Sequence, residues 1–223
     1  MAATTIQRDP TRGSTAETAP AVGFRPADPG PLGLGAFAMT TFVLSMFNAN
    51  LVDEKGAPVV LGLALAYGGL VQLLAGMWEF RTGNTFGAVA FSSFGAFWIS
   101  FWALNVFYAK DIGGNVDHAL AVYLWAWAIF TAYMTIASLR VSGAVLLVFV
   151  LLTATFVLLA IAKMGSGSTT VGHWGGYVGL ATAVAAWYAS FAAVINSTFA
   201  RTVLPVVPLN VGRPARERAA SRA

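Results

Sequence analysis

The 223 residues are 57% hydrophobic and only 10% charged, against about 25% charged in an ordinary soluble domain, so too few charges remain to clothe a water-facing surface. The net charge of +4 is small and cysteine is absent, which excludes disulfides and thiolate metal sites; no cofactor and no nucleic-acid partner is expected. The apolar residues instead fall in blocks close to the ~20 residues that a bilayer-spanning helix needs.

Residues 1–30 are rich in Ala, Thr, Pro and Gly and lack apolar periodicity, so they are expected to form a disordered tail. Met1 to Pro20 have no apolar core of the signal-peptide kind, which leaves insertion to the first helix. Residues 31–199 then hold six apolar blocks: Leu32 to Val52, Ala57 to Trp78, Thr85 to Tyr108, Ala119 to Ser138, Val141 to Ala162 and Trp174 to Asn196. The fold class expected is an all-α integral membrane protein, a bundle of six transmembrane helices with no ionisable group but tyrosine inside them.

The first helix places Thr41, Ser45 and Asn48 at i, i+4 and i+7, on one face, with Phe37 a turn earlier. That strip suits a narrow path for a small solute, since uncharged polar groups in lipid must face a cavity or another helix. In the second helix Gln72 lies deep, and Glu79 at its end adjoins Arg81, as an interfacial ion pair or a proton-handling group. The third helix carries small residues every fourth position, at Ala88, Ser92, Ala96 and Ser100, and Asn105 near its end. For Gln72 and Asn105 two readings stand: pathway amides, or hydrogen bonds between helices.

The sixth helix repeats the small-residue pattern at Ala181, Ala185, Ala189 and Ala193, and starts with two overlapping GxxxG pairs, Gly172 with Gly176 and Gly175 with Gly179. These stripes signal close helix packing, not chemistry. His118 and His173 sit at block boundaries without a second ligand at metal spacing, so no metal site is expected. Residues 200–223 form a basic tail; its Arg213, Arg216, Arg218 and Arg222 either touch anionic lipid or stay solvated.

With six spans both termini share a side. That side collects every arginine, whereas the other holds Lys55, Lys110 and Lys163 among acidic residues, so positive-inside places both tails in the cytoplasm. Without convergent nucleophiles, acids or metal ligands an enzyme is disfavoured, and without an intramembrane carboxylate or histidine the usual buried proton relay is missing. A pathway for a small neutral or weakly charged molecule remains, with Thr40, Thr41, Ser45, Asn48, Gln72 and Asn84 as its candidate lining and Glu79 and His173 as candidate proton-handling groups. The alternative is a membrane receptor that senses a carboxylate and signals through its tails.

Several segments match a known pattern. Asp28-Pro29-Gly30-Pro31-Leu32-Gly33-Leu34 resembles the Asn-Pro-Ala-Pro-Leu-Gly-Leu signature of the acetate uptake transporter family. Tyr67 to Gln72, Gly83 to Gly87, Ser93 to Trp98 and the closing Arg201 to Pro205 resemble further motifs of that family, in order. The resemblance implies a homo-hexamer in the cell membrane, with a pathway in each protomer for acetate and similar short carboxylates, as a channel or a proton-coupled permease. It implies a mouth motif of Asp28, Pro29, Pro31, Leu32 and Gly33, and a constriction of Phe37, Phe94 and Leu152.

Two positions depart from the pattern. Asp28 stands where the family has Asn, and either repels an anion, takes up a proton or caps the first helix. Phe94 stands where the family has Tyr, which removes a hydroxyl and dries the constriction. Arg25, just upstream, either draws anions to the mouth or anchors the chain at the membrane surface.

Overall fold

The computed structural model describes residues 26–164 and 168–209. Arg25 and the arginines from Arg213 onward lie outside them. Among the described residues the chain is helical, with one isolated antiparallel bridge, Ser142 to Pro208, and no strand. Five helical stretches are long and apolar enough to cross a membrane: Gly30–Asn48, Glu54–Thr82, Thr85–Ser138, Gly143–Ala162 and Thr169–Thr198.

Within these stretches the helices are α1 (Gly30–Asn48), α2 (Val59–Leu65), α3 (Gln72–Thr82), α4 (Thr85–Ala103), α5 (Ala109–Ile112), α6 (Val116–Ser138), α7 (Gly143–Ala162) and α8 (Thr169–Thr198). A π-helical turn, Ala66–Val71, joins α2 to α3, and a second, Leu104–Tyr108, follows α4. The 54-residue stretch is not one rod: Gly113 at φ +61 breaks it, and the Tyr123 hydroxyl reaches the Phe97 carbonyl at 3.1 Å. Residues that far apart on a straight helix would lie about 39 Å from one another.

Local chemistry sets the helix ends. Pro31 occupies the first turn of α1, where its missing N–H is no loss. The N-cap is Pro29 rather than Asp28, yet Asp28 Oδ1 still accepts the Gly30 amide at 2.8 Å. Gly83, at φ +80, ends α3 in the left-handed conformation, and Asn84 caps α4 by accepting the Gly87 amide at 3.1 Å. Ser142 and Ser168 cap α7 and α8 in the same way.

Hydrogen-bonded helix extends past the apolar blocks, because backbone bonding does not require apolar side chains. The expectation of helices free of ionisable groups is therefore corrected: Glu79 lies within α3, Asp117 and His118 start α6, and His173 is in α8.

The helices pack chiefly as α1 on α8, α8 on α7, α7 on α6 and α3 on α4. The contact stripes differ from those read in the sequence. Ala96, Ser100 and Ala181 are exposed; the close face of α4 is Ser92 with Gly95, which meet Gly76 and Leu73. On α8 it is Gly175, Gly176 and Gly179 of the GxxxG pairs with Ala183, Ala186, Ala189 and Ala192. A Cβ on Gly176 would strike the backbone of Asn48 and Ala49, and one on Gly175 would strike Leu159 of α7. Outward, Val122, Ile129 and Ile136 of α6 are each more than 60% exposed, an apolar exterior that suits lipid or another subunit.

Residues 201–209 are held against the bundle. Asn196 accepts from the Val203 and Leu204 amides and donates to the Leu204 carbonyl; Tyr188 donates to the Pro205 carbonyl; and the Gly143 amide donates to Val207 at 2.7 Å.

Candidate functional site

The start of α1, the end of α3 and the start of α4 converge on a cavity of about 200 Å³, lined by Asp28, Pro31, Glu79, Asn84, Ser142 and Val206 among others. Glu79 is 2% exposed. Its Oε2 accepts from the Thr82 hydroxyl at 3.0 Å, and its Oε1 lies 2.6 Å from where a Cβ on Gly87 would sit, so a side chain there would displace the carboxyl. Asp28 Oδ1 and Glu79 Oε1 lie 3.0 and 3.5 Å from the Cβ position of Gly30, so both carboxyls crowd the space that a side chain there would take.

The expected Glu79–Arg81 ion pair is absent. Arg81 is exposed and Glu79 buried, because residues two apart on a helix point in different directions. Among the described residues the only ion pair is Lys163 with Asp117, at 2.7 Å and largely exposed.

The mouth residues named from the sequence do not act alike. Asp28 and Pro31 line the cavity. Pro29 is buried, and Gly33 fits against the ring of Phe91, which a Cβ would strike. Leu32 is 47% exposed. Ser190 of α8 donates to the Pro31 carbonyl at 2.6 Å, which ties α8 to the rim.

Phe149 forms part of the inner wall of this cavity and is in ring contact with Phe94, centroids 6.0 Å apart. Phe94, 3% exposed, is the hub of an aromatic plug: its ring also meets Phe37 at 5.8 Å, Phe130 at 5.4 Å, Trp127 at 6.0 Å and Phe156 at 6.4 Å. Leu152, a turn before Phe156, belongs to the same buried cluster. Phe37 of α1 and Phe94 of α4 are thus in ring contact, and Leu152 of α7 shares their buried cluster. Sequence reasoning missed Phe130, Phe149 and Phe156, whose aromatic spacing on α6 and α7 has no polar marker to separate it from ordinary core.

Beyond the plug the first-helix strip divides between partners. Thr40 donates to the Ala36 carbonyl at 3.0 Å and packs on Gly68 of the π turn. Ser45 meets Gly179, which also touches Thr155, and Thr155 and Thr182 share a hydrogen bond at 3.2 Å; these two threonines are a second omission from the sequence reading. Asn48 is half-buried at the end of α1. Thr41 Oγ1 and Gln72 Oε1 are buried and unpartnered.

Asn84 is both cap and cavity wall. Asn105 is exposed and donates to the Phe101 carbonyl one turn back rather than to another helix. His173, near the start of α8, lies seventeen residues before the rim residue Ser190, about 25 Å along the helix. The structure does not bring it to Glu79.

An acidic-rimmed cavity and an aromatic plug therefore lie between the same helices, with unpartnered polar atoms of Gln72 and Thr41 buried among them. The described residues around them offer no cation in ion-pair contact with Glu79, and none of their His, Asp and Glu residues form a group that could hold a metal ion.

The profile of the GPR1/FUN34/yaaH family matches residues 13–211. Acetate permease A of Emericella nidulans is 41% identical over 211 residues, 86% of this chain and 70% of the relative. The succinate-acetate/proton symporter SatP of Escherichia coli K12 is 36% identical over 181 residues, 81% of this chain and 95% of the relative. Ammonia transport outward protein 2 of Saccharomyces cerevisiae is 43% identical over 182 residues, 79% of this chain, which spans 64% of the yeast protein. Among solved structures, that of the bacterial acetate channel SatP superposes with a TM-score of 0.75 at 36% identity, covering 82% of this chain and 99% of that one.

Proposed function

We infer the function from the family to which this chain belongs, the GPR1/FUN34/yaaH family: it is a multi-pass membrane protein that carries acetate and related short-chain carboxylates across the bilayer. The observation that carries this reading is the meeting of cavity, plug and unpartnered polar atoms within a fold shared with an acetate channel. No catalytic function is assigned to it.

A bare carboxylate moved into a medium of low dielectric loses hydration worth far more than any single contact returns, and the plug is wholly aromatic and aliphatic. The solute therefore passes the ring pair Phe37–Phe94 either as the neutral acid or with its charge held by N–H and O–H donors on both sides. Phe94 in place of the family's tyrosine makes the neutral form the easier passenger. At the mouth, Asp28 and Glu79 disfavour an approaching anion, and Glu79 supplies a carboxyl that can pass a proton to it; Arg81 faces outward, and Thr82 and Asn84 are the remaining polar groups against Glu79.

In this reading the long stretch Thr85–Ser138 makes two spans with its reversal at Gly113, giving six in all. The arginine-rich side, with both termini, is cytoplasmic in the cell membrane. The apolar α6 face packs against neighbouring protomers of a homo-hexamer, with a pathway in each.

The test is uptake of labelled acetate into proteoliposomes with and without an imposed pH gradient. Uptake above the lipid-only rate is expected, faster when the gradient drives protons inward with the acid, and with Glu79→Gln that gradient response shrinks while carriage persists. Purified protein in sealed vesicles that moves no acetate above the lipid-only rate sinks the reading.

A further inference from the structure

The mouth and the plug leave unexplained a buried donor on α4. Trp98 is 2% exposed and its indole Nε1 has no hydrogen-bond partner. An indole N–H only donates, and unlike a hydroxyl it does not fold back onto the carbonyl of its own preceding turn. A buried N–H left unmatched is costly, so such a group calls for an acceptor that comes and goes.

The helix register says where that donor sits. Gly33 faces Phe91 and Phe37 faces Phe94, so α1 and α4 run parallel, with numbers rising together. Residues four apart share a helix face, and one turn beyond the ring pair the positions are Thr41 on α1 and Trp98 on α4. The antiparallel α2–α3 stretch agrees, since Gly68 packs on Thr40 and Gly69 on Ile99. Gln72, a turn nearer the mouth, is level with the ring pair. The layer just past the plug thus holds two unpartnered buried groups that point to a ligand, Thr41 Oγ1 and Trp98 Nε1, and Gln72 Oε1 stands unpartnered beside the rings.

We propose that Trp98 is a specificity-determining residue: its indole N–H, with the Thr41 hydroxyl, receives a carboxyl or carboxylate oxygen of the solute as it clears the Phe37–Phe94 pair. The inference rests on the carboxylate-carrying reading above and deepens it. Both groups offer hydrogen to an oxygen lone pair, while Gln72 Oε1 accepts the O–H that only the protonated acid has. The rings of Phe97 and Phe101, at 5.0 and 6.0 Å from Trp98, hold the indole by edge contacts and leave its N–H free for the passing solute.

The experiment compares wild type with Trp98→Phe, which keeps an aromatic ring between Phe97 and Phe101 and removes only the donor ring. In proteoliposomes the acetate concentration for half-maximal uptake is expected to rise about tenfold, the upper end of the effect of one ordinary hydrogen bond. In parallel, ¹⁵N-indole-labelled protein in nanodiscs is titrated with sodium acetate and, as control, sodium chloride. The Trp98 resonance, identified as the one of seven tryptophan signals missing in the variant, shifts with acetate and not with chloride.

A resonance unmoved by acetate overturns the proposal, even if the variant loses uptake, because the loss is then structural. An uptake curve that overlaps the wild type overturns it too. Should the wild type move no acetate, the indole shift still decides binding at Trp98, so failure of carriage and failure of the site remain distinguishable.

Discussion

Phe94 carries more of the site than its sequence suggests. One ring touches five others drawn from α1, α6 and α7, so its removal opens the plug rather than leaving a local gap. Phe94→Ala is expected to raise uptake of lactate and succinate relative to acetate by several-fold, read as a ratio of labelled fluxes in proteoliposomes, with a stability loss of about 3–5 kcal/mol. An unchanged ratio in folded variant would remove the constriction role. At this scale legibility followed chemical contrast. Gln72 and Thr41 stood out because amides and hydroxyls are conspicuous in an apolar run, and Glu79 stood out as a charge, though its burial at 2% exposed did not. Phe130, Phe149 and Phe156 were hidden, because a phenylalanine in a membrane helix looks the same whether it meets lipid, core or solute.

The elements depend on where small residues let backbones meet. Gly176 of α8 lies against the chain at Asn48 and Ala49, where a methyl group has backbone rather than a movable side chain in its way. Gly176→Ala is therefore expected to push α1 and α8 apart at a cost of about 1–3 kcal/mol, seen as a lower unfolding temperature in detergent; Gly172→Ala, whose Cβ would make ordinary contact with Ala162 at 3.6 Å, leaves that temperature unchanged. Equal effects would show that the α1–α8 contact is looser than described. The fourth-position stripes in the sequence located the right helices but only part of each face: Ala88, Ser92 and Ala189 are packed, whereas Ala96, Ser100 and Ala181 point outward. Small residues are so frequent on α4 and α8 that several stripes coexist, and only the neighbouring helices select one. The π turn at Gly68 and Gly69 was likewise illegible, since it exists to let Thr40 and Ile99 approach.

For the molecule as a whole, the absence of cysteine makes orientation directly measurable. A single cysteine at Gly114 is expected to react with a membrane-impermeant maleimide on intact cells, and one at Arg201 only after the membrane is opened; the reverse pattern would invert the proposed topology. The sequence by itself determined that the chain is a helical membrane protein and, through ordered motifs, its family, because transfer of apolar side chains into lipid is a sum over residues that needs no knowledge of neighbours. Tertiary structure alone decided that Glu79 is buried at the mouth beside Asp28, that Asn105 bonds its own helix and that His173, at the start of α8, stands far from that mouth. It also set Trp98 level with Thr41 beyond the plug. Those facts depend on the register between helices, which is fixed by contacts such as Gly33 on Phe91 and Gly68 on Thr40, pairwise properties that no single residue carries.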